Sequence, residues 1–307
     1  MDNYRMRRSA VGANLFATAR AKSSQINLLL LALFVGASFV HAAEPTAITP
    51  REPIILFGRD KIDLSPFYTW LAKYGRDNDP DRVFTVVEQI DGAPAIRSSG
   101  QWYGGIVTKQ SYANYRLIVE FRWGLSTWGD RKNKARDSGI LLHLQGEDGN
   151  NNKNMRGAWT RSVEFQILEG GTGDIWLVPG YDRDNPTPIQ PRLTVALKSQ
   201  KHQGGFPIWD PAGTPTELGN FGRIAWGGID PDWKPELGFR GRNDAEKPLG
   251  QWNRLEAIVN GGDLDYFVNG VKVNEGRNGT FKEGRLLFQS EGAEVFFRRI
   301  ELQPLKR

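Results

Sequence analysis

Short segments in which apolar and polar residues alternate with a period of two recur along this chain, and they limit its fold more than any other feature. Leu117–Trp123 places Leu117, Val119, Phe121 and Trp123 on one face. Ile140–Leu144 does the same with Ile140, Leu142 and Leu144, and Ser162–Ile167 with Val163, Phe165 and Ile167. Strict alternation over such lengths marks a half-buried strand, because successive side chains of a pleated backbone leave on opposite sides. Further candidates are Arg254–Asn260, Leu264–Val268, Arg285–Ser290 and Glu294–Leu302. Asn269-Gly270 sits between Asp265–Val268 and Val271–Val273, a pair suited to the positive backbone angles of a tight hairpin. No long helix is expected; Ser65–Tyr74 is the one short candidate. Many short strands joined by Gly-rich turns predict an all-β fold, a two-sheet antiparallel β-sandwich of jelly-roll type.

Residues 178–248 break the pattern. They hold 10 of the 17 prolines, and they alternate little. Trp209, Trp226 and Trp233 argue for an ordered segment, so this stretch reads as an insertion over one end of the sheets.

The chain begins differently. Arg5, Arg7, Arg8, Arg20 and Lys22 precede a 13-residue apolar run, Leu28 to Val40, followed by His-Ala-Ala-Glu-Pro. A basic region, a short apolar stretch and small residues at a cut site predict a secretory signal over residues 1–42. The run is shorter than the ~20 residues a membrane span needs, so no membrane span is expected after cleavage. Residues 43–53 are expected to be a flexible Pro-rich lead-in, and residues 54–305 the folded domain. Of the formal charge of +5, +4 lies in residues 1–42, which leaves +1. The basic balance therefore gives no warrant for nucleic-acid binding. With no Cys, disulfides, thiolate zinc sites and cysteine nucleophiles are excluded. A secreted or periplasmic bacterial location is expected.

The chemistry is expected on the polar faces of the strands. They carry Glu120 and Arg122, then His143 and Gln145, then Glu164 and Gln166. An ordinary solvent face would be a mixture of Lys, Glu, Ser and Thr. If these strands neighbour one another on a concave face, the polar groups converge on a groove. Glu169 is out of phase with Glu164 unless a bulge re-aims it. His143 reads either as a hydrogen-bonded structural histidine or as a general acid or base. His202 reads as a loop residue. Trp102, Trp159 and Trp176 flank the strands; Trp159 and Trp176 are candidate platforms for a sugar ring, whose apolar face stacks on aromatics. No nucleotide, phosphate-loop, serine-elbow or metalloprotease pattern is present. Asp263/Asp265 and Asp230/Asp232 are carboxylate pairs that could contribute to a Ca²⁺ site, a weak signal.

Eight stretches in order resemble a known family: Ile55–Asp60, Tyr115–Arg122, Asp137–His143, Ser162–Leu168, Lys247–Asn253, Val268–Val271, Gly284–Gln289 and Val295–Pro304. The family is the secreted bacterial domain of unknown function 1080, also called the 3-keto-disaccharide hydrolase domain. The resemblance implies a concanavalin A-like lectin/glucanase fold and cleavage of glycosides oxidised at C3. Two departures stand out: Asp137 replaces the family's Asn, and His143 stands where an Arg is usual. Glucanases of this fold carry Glu-x-Asp-x-(x)-Glu on a central strand; here Gln166 takes the middle position and cannot relay a proton.

A C3 ketone acidifies the C2 hydrogen, so a base can take it and the enolate can expel the C1 oxygen; water adds afterwards. Such a site needs a base at C2, donors at the C3 oxygen and an acid at the leaving oxygen. The expected roles are Glu164 or His143 as base, Arg122 or Gln166 at the enolate, and Glu169 as acid. Glu120, Gln145, Trp159 and Trp176 are expected to bind the sugar. No cofactor is evident, although a divalent metal could serve as enolate stabiliser. Two alternatives stay open. A non-catalytic carbohydrate-binding module would show aromatics and amides but no carboxyl of displaced proton affinity. A conventional β-glucanase would show two facing carboxylates and act on unoxidised glucans.

Overall fold

The computed structural model describes residues 46–219 and 222–306; the expected signal segment lies outside them. Among these residues the chain forms nineteen strands. The first seven are β1 (Ile54–Phe57), β2 (Phe67–Leu71), β3 (Gly75–Arg76), β4 (Phe84–Ile90), β5 (Ala93–Ser98), β6 (Gly104–Thr108) and β7 (Tyr112–Ala113). Next come β8 (Tyr115–Thr127), β9 (Asp137–Leu144), β10 (Ser162–Leu168), β11 (Ile175–Val178), β12 (Arg192–Leu197), β13 (Thr214–Gly219) and β14 (Gly222–Ile224). The last are β15 (Asn253–Asn260), β16 (Asp263–Val268), β17 (Val271–Gly276), β18 (Glu283–Ser290) and β19 (Ala293–Pro304). One 3₁₀ turn, Gly129–Arg131, follows β8. Among the described residues no helix is long and apolar enough to cross a membrane.

Two antiparallel sheets make the sandwich. The cleft sheet runs β14-β11-β10-β9-β18-β6-β2-β3, with β7 beside β18. The back sheet runs β17-β16-β15-β8-β19-β5-β4, with β1 beside β19. The all-β sandwich expected from the alternation is thus present. The faces that meet carry the residues the period assigned inward. Leu117, Val119, Phe121 and Trp123 come from the back sheet, and Ile140, Leu142, Val163, Phe165 and Ile167 from the cleft sheet. The rings interlock across the gap: Phe165 stacks on Tyr266 at 4.0 Å between centroids, and Phe288 meets Phe297 edge-on at 5.8 Å. Each fully buried aromatic of this kind contributes about 1.5–3 kcal/mol. The Asn269-Gly270 hairpin forms as expected, with both residues at positive φ (51° and 84°) and Val268 opposite Val271.

Three expectations are corrected. Ser65–Tyr74 is no helix: Phe67–Leu71 is strand β2, paired with β6. Its aromatic residues serve two interfaces, with Phe67 in the main core and Tyr68 in a second apolar layer on the outer face. The lead-in is pinned at Ile48, whose backbone exchanges hydrogen bonds with Ser111 and Ala113 at 2.9 and 3.0 Å. Most important, β8 belongs to the back sheet while β9 and β10 belong to the cleft sheet. Glu120 and Arg122 therefore point away from the face that carries Glu164.

β12 and β13 pair as a separate ribbon, and β14 joins the open edge of the cleft sheet beside β11.

Candidate active site

The outer face of the cleft sheet is half covered. Tyr68, Val107, Leu141, Leu144 and Leu287 form an apolar layer there, with Trp70 and Trp159 packed on it. The cover is the loop 145–161 between β9 and β10. Trp70 Nε1 donates to Gly157 O at 3.1 Å, and Asn151 N donates to Trp159 O at 3.1 Å. Beyond the loop's edge the face stays open, and there the polar residues of β10 emerge.

The opening is a cavity of about 300 Å³, at the small end of the range for ligand sites. Its floor is Glu164, Gln166 and Leu168 of β10 with Trp176 of β11. One wall is Asn151 and Trp159 of the covering loop; the opposite wall is Pro179, Arg223 and Trp233 of the insertion. Arg131, Asp137 and Glu291 close the end.

The floor depends on a glycine. Gly139 of β9 lies opposite Gln166 in the ladder, and a Cβ there would collide with Glu164 Oε1 and Gln289 Oε1. The strand sequence Asp-Ser-Gly-Ile thus opens the space into which two side chains turn.

Burial sets the electrostatics. Glu164 is 5% exposed, and its Oε1 has no hydrogen-bond partner. Desolvation pushes its proton affinity well up and the charge of Glu291 adds to the effect, against a hydrogen bond from Gln289 and the charge of Arg131. Burial likewise raises Glu291 to about 7, against the pull of Arg131. Arg131 Nη2 lies 3.3 Å from Glu291 Oε1 and also pairs with Asp137. Gln166 Nε2 donates to Asp137 and to Ser138 O (3.2 Å). Each carboxyl therefore holds its proton more tightly than an exposed glutamate does. Carboxyls displaced this way by burial and a like charge, in a cleft, are what acid–base chemistry needs.

The expected site residues separate. Glu164, Gln166, Trp159 and Trp176 share the cavity. Glu120 and Arg122 do not, because their strand lies in the other sheet. Glu120 pairs with Arg298 at 2.6 Å, and Arg122 pairs with Asp91 at 2.6 Å. His143 does not reach it either. Its φ of +57° breaks the alternation of β9, so Leu144 takes the outer face and the imidazole turns into the core. There Nδ1 is 3.2 Å from Phe281 O, the ring meets Tyr115 edge-on, and burial lowers its pKa to about 4. Gln145 follows that irregularity and donates to His143 O and Glu283 O. Glu169 is out of phase and stays so: it accepts from Arg136 Nη1 at 2.5 Å, Arg136 N at 2.9 Å and Gly238 N at 3.0 Å. That carboxylate ties the insertion to β9. His202, the expected loop residue, is buried against Phe206 within the insertion.

Sequence reasoning missed Arg131, Glu291, Arg223 and the cavity role of Trp233. For Glu291 a signal existed: Leu287, Gln289 and Glu291 continue the outward phase of β18 into the Glu291-Gly292 turn. Arg223 and Arg131 carried none, since one sits on a three-residue strand and the other in a short turn.

Among the described residues, no three His, Asp or Glu side chains gather as metal ligands. Asp265 is engaged by Lys272 and Arg277, and Asp230 accepts from the backbone of Arg242 and Asp232.

A family model, the 3-keto-alpha-glucoside-1,2-lyase-like domain, matches residues 63–303. The chain belongs to this family. No curated protein matches the sequence. Among solved structures, the lyase-like domain is similar to a candidate glycosyl hydrolase from Parabacteroides distasonis at 15% identity, covering 83% of this chain and 94% of that one, with a TM-score of 0.44. It is also similar to a Bacillus subtilis protein of galectin-like fold (7%, 85% and 99%, 0.40) and to the Bacillus subtilis carbohydrate-binding module CBM66 (10%, 71% and 91%, 0.35).

Proposed function

We propose that this protein cleaves the glycosidic bond of sugars already oxidised at C3, by elimination across C1 and C2 followed by addition of water. The observation that carries the reading is the pair Glu164 and Glu291: one buried and one partly buried carboxyl, both of raised proton affinity, in one tryptophan-lined cavity, with the Arg131 guanidinium between Glu291 and Asp137. The family assignment supports it, since a 1,2-lyase acts across those same two carbons.

In this reading Glu164, on the cavity floor, takes the C2 proton. The C2–H electrons become the C2=C3 bond and the carbonyl electrons move to the C3 oxygen. As the ketone re-forms, the C1–O bond breaks, and the leaving oxygen takes its proton from Glu291. Gln166 fixes Asp137 and thereby the position of Arg131. Trp159 and Trp176 hold the ring by its apolar face. Water then adds across C1=C2. The signal expected over residues 1–42 supports placing this encounter in the periplasm or at the cell exterior.

A purely binding module is disfavoured by the displaced carboxyls, which a lectin site does not need. Double displacement of the usual kind is disfavoured by Gln166 and by the engagement of Glu169 with Arg136. The test is incubation with 3-keto-trehalose and 3-keto-glucosides, with and without chelator, and with unoxidised glucans as control. Wild-type protein is expected to release free sugar from the oxidised substrates alone. Glu164→Gln is expected to lose about 10²–10⁴-fold in rate. Unchanged turnover by that variant removes Glu164 from the mechanism.

A further inference from the structure

Two guanidinium groups reach the cavity, and they differ in what they have left to offer. Arg131 is engaged by two carboxylates, Asp137 and Glu291. Arg223, on β14 of the insertion, has only its Nε committed, to Asp174 Oδ2 at 2.5 Å. The guanidinium carbon stands 4.2 Å from the ring centroid of Phe206 and 4.1 Å from that of Trp233. The side chain is 8% exposed, and Nη2 is buried without a hydrogen-bond partner. Arg223 also lines the cavity, and an arginine held at its inner nitrogen and by two aromatic faces presents the rest of its planar fork in a fixed orientation.

Its place in the ladder matters. Arg223 is opposite Trp176 on β11, and Trp176 is opposite Glu164 on β10. Base and guanidinium thus lie two strands apart on one face, ~10 Å between backbones, with an indole between them. Both residues line the same cavity.

We propose that Arg223 is the group that receives the developing charge on the C3 oxygen, and that it thereby makes the site selective for sugars oxidised to the ketone. The inference rests on the elimination reading above. When the C2–H pair moves into C2=C3, the C3 oxygen becomes an oxyanion, and a fixed donor gains most from that atom. A C3 hydroxyl in an unoxidised sugar develops no such charge and gains little. The insertion is then part of the catalytic apparatus, since it delivers Arg223 from the sheet edge.

The test separates the enolate step from bond cleavage. Methyl 3-keto-glucoside in D₂O, followed by NMR, reports exchange of the C2 hydrogen whether or not the poor leaving group departs. Wild-type protein is expected to catalyse that exchange. Arg223→Met, combined with Asp174→Asn so that no buried carboxylate is left unpaired, is expected to slow it about 10²–10³-fold with KM little changed. Arg223→Lys keeps the charge but not the planar fork, and is expected to slow it about tenfold. Glu291→Gln is expected to retain exchange while losing elimination. Exchange at the wild-type rate in both Arg223 variants overturns the assignment and leaves the elimination reading intact. So does exchange abolished by a chelator yet indifferent to Arg223. Wild-type protein that neither exchanges nor cleaves overturns the elimination reading, and the role of Arg223 with it.

Discussion

The outer faces of the two sheets carry similar side chains and use them in opposite ways. On the back sheet every singled-out charge is matched: Glu120 with Arg298, Arg122 with Asp91, Glu256 with Arg116 and Arg254. These groups meet water, so their interactions are cheap to form and add little. On the cleft sheet the same residue types sit under a loop and an insertion. Glu164 has a carboxylate oxygen without a partner, and Arg223 has a terminal nitrogen without one. Burial there makes each unmatched group costly, which is what allows it to respond to a substrate. A polar strand face becomes a reaction site through what covers it.

The sharpest way to break this contrast is to make one change on both faces. Glu164→Gln is expected to lose about 10²–10⁴-fold in turnover of a 3-keto-glucoside, whereas Glu120→Gln leaves turnover unchanged. Equal losses would erase the distinction.

Glu169 tests burial without catalysis. Glu169→Ala strands Arg136, whose side chain is 5% exposed, and should cost about 3–5 kcal/mol in denaturant unfolding. Activity per folded molecule should hold, because that carboxylate faces away from the cavity. A catalytic loss exceeding the folding loss would return Glu169 to the acid role.

Glu246 reports the same physics away from the cleft. It accepts from Trp123 Nε1 at 2.6 Å and Thr172 Oγ1 at 3.0 Å, yet burial raises it to about 7 from the usual value near 4.5. The folded chain keeps a proton that the unfolded chain releases. Its stabilisation is therefore complete below about pH 4.5 and is lost as the pH rises towards about 7. Glu246→Gln should flatten the fall in stability between pH 5 and 8, by up to a few kcal/mol. A parallel pH profile would show that Glu246 is ionised when folded.

The smallest effect belongs to the back sheet. Arg122→Ala should change stability by about 1 kcal/mol or less and leave activity alone.

The amino-acid order read well where the physics is local. Period-two alternation located β8, β9 and β10 and assigned Phe121, Ile140 and Phe165 inward, because the pleat obliges neighbouring residues to opposite faces. It also put Glu164 and Gln166 side by side. It failed at His143, where one positive φ reverses the phase, and at Phe67–Leu71, where apolar residues on both faces hide the period.

Sheet membership was illegible for a different reason. Alternation along one strand is identical whichever sheet the strand joins, so nothing in Leu117–Trp123 separates Arg122 from Glu164. That choice rests on backbone pairing across long stretches of chain, β8 with β15 and β19, β10 with β9 and β11. The cleft depends on it, together with the docking of residues 178–248, which brings Arg223 and Trp233 to a face whose own strands supply only its floor.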